Sequence, residues 1–264
     1  VHITGSHHTH NAIVWGTTDE QKIHEKFKEN KFKLHKPITS ELGCVTPAII
    51  VPGPWSMSDL KYQAKQIVSA VENNASFNCN AVKVLVLDKN WSHKKTFLNC
   101  LKEEFKITPQ RVAYYPGAFE RHQKFLDHYA QAEILGEKKE GCVPWTLIEN
   151  VSLKDGEYAL TNEAFCGVLA TVEIESENPT DFMQKSAKFC NEKIWGTLSC
   201  FVIIDEKTKK TYKSSLEELV HELKYGAVGV NCWASLAYAL YSTTWGAYPG
   251  HTLEDPVSGI GFVH

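Results

Sequence analysis

Short apolar runs alternate with amphipathic stretches along most of the chain. Strands are predicted at the runs "PAIIV", "AVKVLVLD", "CVPWTLIENV", "FCGVLATVEIE", "SCFVIID" and "AVGVNCW". Helical spacing of apolar residues predicts helices at "TTDEQKIHEKF", "KKTFLNCLKEEF", "FERHQKFLDHYA", "DFMQKSAKFCNEK" and "SSLEELVHELKYG". A further helix is predicted because Leu60, Ala64, Ile67, Val68 and Val71 fall on one helical face. This alternation predicts an α/β architecture.

Polar and turn-forming stretches separate these elements. At the start, "HIT" predicts a short strand that leads through Gly5-Ser6 into a helix, and Thr18 with Gln21 predicts a capping box for the next one. The lysine-rich stretch "KENKFKLHKP" is typical of a solvated loop. The stretch "EILGEKKEG" is also polar and turn-like, so it is interpreted as a loop.

The composition is that of an ordinary globular protein and excludes several classes of partner. The 264 residues are 43% hydrophobic and 22% charged, with a formal net charge of -3, which gives no indication of nucleic-acid binding. No apolar run approaches the roughly 18 residues of a membrane span, and the stretch "VHITGSHHTH" lacks a signal peptide's basic region followed by an apolar one, so a cytoplasmic protein is predicted. Eight dispersed cysteines without a CxxC pair predict reduced thiols. The absence of an initiator methionine suggests a fragment or a processed chain.

Cys79 and Glu41 are the candidate catalytic residues. Cys79 lies in "NNASFNCNA", between a predicted helix and an apolar strand, where local amides or a helix terminus can lower its ordinary pKa of about 8.5. Its alternative is an inert buried thiol. Glu41, at the end of a strand-like segment, is a candidate general base, and its alternative is an exposed strand-end glutamate.

The histidines near the start do not support a metal site. His7 and His10 stand three residues apart on a predicted helix, with His8 between them, but no matching Cys, Asp or Glu spacing accompanies them. No metal is therefore predicted. A cysteine–histidine hydrolase stays a weaker alternative, because the sequence brings no histidine beside Cys79.

Seven short motifs, taken in order, resemble motifs of the aldehyde dehydrogenase superfamily. "ITGS" at 3–6 is similar to Phe-Thr-Gly-Ser, "ELGCVTP" from 41 to Glu-Leu-Gly-Gly-Lys-x-Pro, and "NASFNC" at 74–79 to Asn-x-Gly-Gln-x-Cys. "EAFCG" at 163–167 resembles Glu-x-Phe-Gly-Pro, and "NEKIWGTLSC", "VGVN" and "SGIG" match later segments. The motifs are colinear over nearly the whole chain. An atypical subfamily is indicated by Ser76-Phe77 in place of Gly-Gln and Cys44-Val45 in place of Gly-Lys.

The resemblance implies a fold and a division of the chain. It implies an aldehyde dehydrogenase-like catalytic domain, with an open twisted sheet covered by helices on both faces, plus a remnant of the Rossmann-like cofactor domain. Residues 1–42 would be that remnant, 43–245 the catalytic domain, and 246–264 a segment that returns towards the cofactor domain. The chain would then be a C-terminal part, with little dehydrogenase activity in isolation.

The resemblance also implies roles for individual residues. Cys79 would attack the aldehyde carbonyl and Glu41 would activate the water that hydrolyses the resulting thioester. The remaining implied residues contact NAD or NADP in the complete protein, which would be a homo-oligomer: Gly5 and Ser6 at the pyrophosphate, Glu163 at the nicotinamide ribose, and Phe165 near the ring.

Two other functions stay open. The changed residues around Cys79 favour a non-catalytic aldehyde dehydrogenase-like scaffold or subunit-contact module. Cys79 with Glu41 alone would instead suit a cofactor-independent esterase or thioesterase. Trp91, Trp145, Trp233 and Trp245 would suit a long or aromatic aldehyde, or simply belong to the core.

Overall fold

The computed structural model describes residues 1–264 and contains two β-sheets with helices packed around the larger one. The strands are β1 (His2–Thr4), β2 (Thr39–Glu41), β3 (Thr46–Ile50), β4 (Val82–Asp88), β5 (Glu133–Leu135), β6 (Trp145–Ile148), β7 (Val168–Ile174), β8 (Ser199–Ile203), β9 (Ala227–Val230) and β10 (Gly259–Ile260). The helices are α1 (His7–Trp15), α2 (Glu20–Lys28), α3 (Met57–Glu72), α4 (Lys94–Ile107), α5 (Ala118–His128), α6 (Tyr158–Thr161), α7 (Pro179–Lys193), α8 (Glu206–Thr211), α9 (Lys213–Glu222) and α10 (Ser235–Ala239).

The larger sheet has seven strands in the order β5-β6-β7-β4-β3-β8-β9. All neighbouring pairs are parallel except β5 with β6, which are antiparallel at one edge. The two central strands β3 and β4 are buried along their whole length, which explains why their sequences are continuous apolar runs. The predicted α/β class is therefore confirmed.

Helices cover both faces of this sheet. Along β4, Val84 and Val86 belong to a core cluster that includes Phe182 of α7. Leu85 and Leu87 point the other way, into a second cluster formed largely by α3 and α4. Alternate residues of one strand thus stabilise opposite layers, as the twofold repeat of a strand requires.

The smaller sheet brings the two ends of the chain beside Glu41. β1 runs parallel to β2, and β10 runs antiparallel to β2 on its other side. The Gly5 N–H donates to the Glu41 carbonyl at 3.1 Å, and the Leu42 N–H donates to the Ser258 carbonyl at 2.8 Å. The backbone of Glu41 is therefore fixed from both sides. The predicted boundaries at 42 and 245 stay predictions.

Two local predictions were wrong. α2 is capped by Asp19, whose side chain accepts from the Lys22 N–H, so Thr18 does not begin a capping box. Asp19 competes successfully because a carboxylate is a strong cap and sits one residue nearer the first turn. The segment 133–141, interpreted as a loop, begins with the short edge strand β5, which pairs with β6 and buries Leu135 before the polar part of the segment begins.

The lysine-rich segment was predicted to be a solvated loop. In the structure it forms an irregular, largely exposed connection between α2 and β2, so this prediction is confirmed. It is attached to the protein where the Lys33 N–H donates to the Val14 carbonyl at 2.8 Å. None of the helices combines the length and the apolar character that a membrane crossing requires.

Candidate active site

The two candidate catalytic side chains meet. The Cys79 thiol donates to Glu41 Oε1 at 2.9 Å, although the residues are 38 positions apart in sequence. Glu41 closes β2 and is 4% exposed, so its carboxylate is not the solvated strand-end group of the alternative interpretation. A carboxylate in direct contact with a thiol can accept the thiol proton.

The charge environment opposes ionisation of Cys79. Burial raises the pKa of the thiol well above its usual range, and the neighbouring carboxylates of Glu41 and Glu163 raise it further, while the Lys83 ammonium lowers it. The expectation that local amides lower the pKa was wrong, because no backbone N–H donates to the thiol, and burial and the two carboxylates both raise its pKa. The resting thiol is protonated, and its proton lies on the hydrogen bond to Glu41.

Lys83 is a buried ammonium next to this pair. It occupies the second position of β4, and its Nζ forms an ion pair with Glu163 Oε1 at 3.2 Å. The same Oε1 atom accepts from the Cys44 N–H at 3.2 Å, so Glu163 is held at the entrance to β3. Burial raises the pKa of the Glu163 carboxyl, and Lys83 acts in the opposite direction. Glu163 Oε2, in contrast to Oε1, accepts no hydrogen bond from the chain.

The turn that precedes Cys79 has an unusual backbone. Asn74, Ala75 and Ser76 all adopt left-handed conformations, with φ of 53°, 56° and 68°. Left-handed conformations cost non-glycine residues roughly 1–2 kcal/mol each, and runs of them persist only where surrounding structure imposes them. Phe77 ends the turn and lies 5% exposed. The turn places Cys79 at the amino end of the central strand β4.

Aromatic rings surround Phe77. Its ring lies 5.1 Å from that of Tyr114, 5.6 Å from that of Tyr115 and 5.9 Å from that of Phe165, measured between centroids. Phe165 is fixed by Arg121, whose guanidinium donates to the Phe165 carbonyl at 3.1 Å and lies 5.9 Å from the ring. The predicted residue Phe165 therefore lies in the same part of the molecule as the segment that carries Cys79.

Gly5 and Ser6 lie at the start of α1. The Ser6 side chain caps the helix by accepting from the Thr9 N–H at 3.1 Å. The cap satisfies the Thr9 N–H, whereas the N–H groups of His7 and His8 at the start of the helix have no acceptor within it, an arrangement that attracts anions. Gly5 connects to Glu41 through the backbone bond described above. Gly5 and Ser6 thus stand at one end of the small sheet that also carries Glu41.

The site lies at the amino ends of the parallel strands. Cys44 precedes β3, Cys79 precedes β4, and Glu163 with Phe165 precedes β7. Ligands of open parallel sheets usually bind at the carboxyl ends. In this protein the small sheet, which carries Glu41, brings the second candidate catalytic side chain to the amino ends instead.

The first histidines do not assemble a metal centre. His7 contacts His8 and Trp195 by its ring, and His10 is fully buried beside Asn11. No group of three or more His, Cys, Asp or Glu side chains in the chain is arranged to hold a metal ion. All eight cysteines are free thiols.

Sequence reasoning missed two contributors to the site, Lys83 and Thr46. Lys83 was detectable as the one basic residue within the buried run "VKVLVLD". Thr46, whose hydroxyl donates to the Cys79 carbonyl at 3.3 Å, comes from a distant segment and carried no sequence signal of its own. Trp233, which the sequence offered only as a possible contact for a long or aromatic aldehyde, donates from its indole to the Asn80 carbonyl at 2.9 Å. Of the four tryptophans considered as contacts for a long or aromatic aldehyde, three are buried in the core: Trp91, Trp145 and Trp245.

No protein-family model matches the chain, and no curated protein matches it by sequence. Solved structures do match it. Indole-3-acetaldehyde dehydrogenase in complex with NAD+ is 18% identical with a TM-score of 0.69, and the match covers 99% of this chain and 48% of that chain. The NAD+ complex of aldehyde dehydrogenase from Bacillus cereus is 18% identical with a TM-score of 0.68 and the same coverage.

A third match is the NADP-dependent glyceraldehyde-3-phosphate dehydrogenase from Bacillus halodurans C-125 in complex with NADP, which is 17% identical with a TM-score of 0.66. It covers 99% of this chain and 48% of that chain, so the chain spans about half the length of the structures it matches. The resemblance drawn from the seven motifs is confirmed at the level of the fold. The chain has the aldehyde dehydrogenase fold over the part that contains the candidate cysteine.

Proposed function

We propose that the protein is an NAD(P)-dependent aldehyde dehydrogenase that oxidises an aldehyde to a carboxylic acid, with Cys79 as nucleophile and Glu41 as general base. The observation that carries this proposal is the 2.9 Å contact between the Cys79 thiol and the Glu41 carboxylate. A nucleophile within hydrogen-bond reach of a base is the arrangement that covalent catalysis requires. The aldehyde dehydrogenase fold supports the same assignment.

The first step uses only residues of this chain. Glu41 takes the thiol proton, and the sulfur attacks the carbonyl carbon to give a thiohemiacetal oxyanion. The Cys79 N–H donates to no acceptor within the chain, so it is available to that oxygen. Loss of an oxyanion donor typically costs roughly 10²–10³ in rate. Because burial raises the pKa of the thiol, a base in contact with it is a condition of the reaction.

The residues present fit a nicotinamide nucleotide. When bound, NAD(P) accepts the hydride that converts the thiohemiacetal into a thioester. Glu163 Oε1 is held by Lys83 and Cys44, while Oε2 is free of protein donors and can accept from ribose hydroxyls. Gly5 and Ser6 start the helix that would face the pyrophosphate, and Phe165 would pack beside the ring.

Glu41 completes the cycle. It releases the proton taken from Cys79 and then removes a proton from the water that attacks the thioester. The products are a carboxylic acid and the regenerated thiol. A buried carboxylate at this position favours hydrolysis over transfer of the acyl group to coenzyme A, because the water has its own base.

The test compares the protein with its Cys79→Ala variant, supplied with an aldehyde series and NAD+ or NADP+. We expect the reduced nicotinamide absorbance to rise with the parent protein and to stay flat with the variant. Cys232→Ala, which removes an exposed thiol, is the matched control and should keep full activity. Equal activity of Cys79→Ala and the parent protein would refute the assignment.

A second candidate is hydrolysis of esters or thioesters without a cofactor. It is favoured by the fact that the Cys79–Glu41 pair is complete within this chain. Turnover of a p-nitrophenyl ester in the absence of NAD(P), lost in Cys79→Ala, would identify this activity. If Cys79 instead reacts with iodoacetamide no faster than the other seven thiols and neither reaction occurs, the protein is a scaffold.

A further inference from the structure

Lys83 makes more contacts with the segment that bears the nucleophile than any role in folding β4 requires. Its Nζ donates to the carbonyls of Asn78 and Cys79 at 3.2 Å and to that of Ala81 at 3.0 Å. The ion pair with Glu163 Oε1 at 3.2 Å completes its surroundings. The segment from 78 to 81 is therefore wrapped around one ammonium group.

Burying this charge is costly unless every donor is satisfied. The Lys83 side chain is 3% exposed, against 18% for Glu163. Transfer of an ammonium from water into a protein interior is unfavourable, and it is compensated by close carbonyl and carboxylate groups. Three carbonyls and a carboxylate provide this compensation, and all of them belong to residues at the candidate active site.

Lys83 is also the cation that opposes the negative charge around Cys79. The thiol is faced by Glu41 from β2 and by Glu163 from the segment before β7, and both carboxylates disfavour a thiolate. Lys83, from β4, favours it. During the proposed reaction, charge develops first on sulfur and then on the oxyanion, next to two carboxylates. A positive charge at hydrogen-bond distance from the Cys79 carbonyl reduces this repulsion.

We propose that Lys83 is a positioning residue that fixes the Cys79 segment and Glu163 in one arrangement and supplies the positive charge that allows a thiolate to form in a buried site. This inference rests on the proposed role of Cys79 as nucleophile. This charge geometry has two consequences. Removing the ammonium lowers the reactivity of Cys79, and arginine, which keeps the charge, restores it.

The experiment measures the rate of Cys79 alkylation by iodoacetamide against pH, with the modified peptide quantified by mass spectrometry. The exposed thiol of Cys232 serves as an internal reference in every sample. For Lys83→Met we expect the midpoint of the profile to move up by about one pH unit, so that alkylation near pH 7 slows about tenfold. Lys83→Arg should stay within about threefold of the parent protein. A folded Lys83→Met variant with the parent profile would overturn the inference.

A second pair of variants keeps the test decisive if Lys83→Met does not fold because Glu163 is left unpaired. Glu163→Gln retains the lysine and its three carbonyl contacts, and Lys83→Met combined with Glu163→Gln removes both charges together. We expect Cys79 to react about tenfold more slowly in the double variant than in Glu163→Gln. Equal rates would overturn the inference.

Alkylation requires neither aldehyde nor nucleotide, so the two proposals fail in distinguishable ways. Lack of aldehyde oxidation together with a lysine-dependent alkylation profile would refute the proposed function and leave the role of Lys83 intact. Aldehyde oxidation together with an alkylation profile that does not change in the Lys83 variants would support the proposed function and refute the role of Lys83.

Discussion

The Cys79 thiol lies in surroundings that disfavour its charged form, and the contact with Glu41 offsets this. Burial is the largest cause of its raised pKa, and the two carboxylates add to it. A cysteine of this kind reacts when a base takes its proton at the moment of attack rather than as a stable thiolate. In the proposed reaction the pair is interdependent, because the Glu41 carboxylate would serve both the attack by Cys79 and the later hydrolysis.

Glu41→Gln should therefore slow both halves of the proposed reaction. The amide can remove a proton neither from the Cys79 thiol nor from water, so steady-state aldehyde oxidation should fall by roughly 10²–10⁴. With aldehyde and NAD(P)+ present, a single-turnover measurement should show that the first formation of reduced nicotinamide is slow as well, because the attack has lost its base. Cys232→Ala, which removes an exposed thiol, is the control and should keep the parent rate. A Glu41→Gln protein that turns over at the parent rate would contradict the role of Glu41.

At the scale of single residues, the sequence identified the pair but not its environment. Cys79 and Glu41 were found by resemblance and by their positions at element boundaries, and the structure places them 2.9 Å apart. The left-handed turn at 74–76 could not be read from the sequence, because asparagine, alanine and serine give no signal for positive φ comparable to glycine. The expected pKa was wrong because burial by distant segments is not encoded locally.

At the scale of elements, the segments that enter β3 and β7 are interlocked. Gly43 follows β2, and a Cβ atom at this position would overlap the carboxylate of Glu163. The adjacent Cys44 N–H holds that carboxylate at 3.2 Å. The glycine in "ELG" is therefore required by close approach of a side chain, and the two segments are stabilised as a unit.

Gly43→Ala should displace the Glu163 carboxylate and weaken its contact with Lys83. Overpacking of this kind costs typically 1–3 kcal/mol, and we expect a loss of about that size in the free energy of unfolding measured with urea. The penalty should shrink by at least about 0.5 kcal/mol when Gly43→Ala is introduced into a Glu163→Ala background, where the overlap is gone. Equal penalties in the two backgrounds would show that the overlap is not the cause.

The elements themselves were largely readable from their periodicity. β3 and β4 were predicted because they are buried on both faces and carry uninterrupted apolar runs. β5 was missed because it is only three residues long and runs directly into the polar, turn-like residues 136–141, although its Leu135 is buried and pairs with Trp145. Residue pattern thus identifies central strands better than edge strands.

At the scale of the whole molecule, buried histidines couple stability to pH. His10 is fully buried and its Nε2 atom has no hydrogen-bond partner, while His122 is 6% exposed and shares a 2.8 Å hydrogen bond with Thr146. Burial lowers the pKa of both imidazoles, and the Lys138 charge adds to the effect at His122. Both are neutral in the folded protein at neutral pH.

The sign of the resulting pH dependence follows from proton linkage. Below the unfolded pKa of about 6.5, the unfolded chain binds protons that the folded protein does not, so the free energy of unfolding falls as the pH falls from 7 towards 5. Each such histidine contributes at most about 1.4 kcal/mol per pH unit.

His122→Gln retains a hydrogen-bonding group for Thr146 and removes one titration, so its stability should decline less over this interval than that of the parent protein. Urea unfolding at several pH values measures the slope, and His221→Gln, at an exposed position, is the matched control that should keep the parent slope. Parallel slopes for His122→Gln and the parent protein would mean that the buried imidazole is not a source of the acid sensitivity, which would then come from the carboxylates.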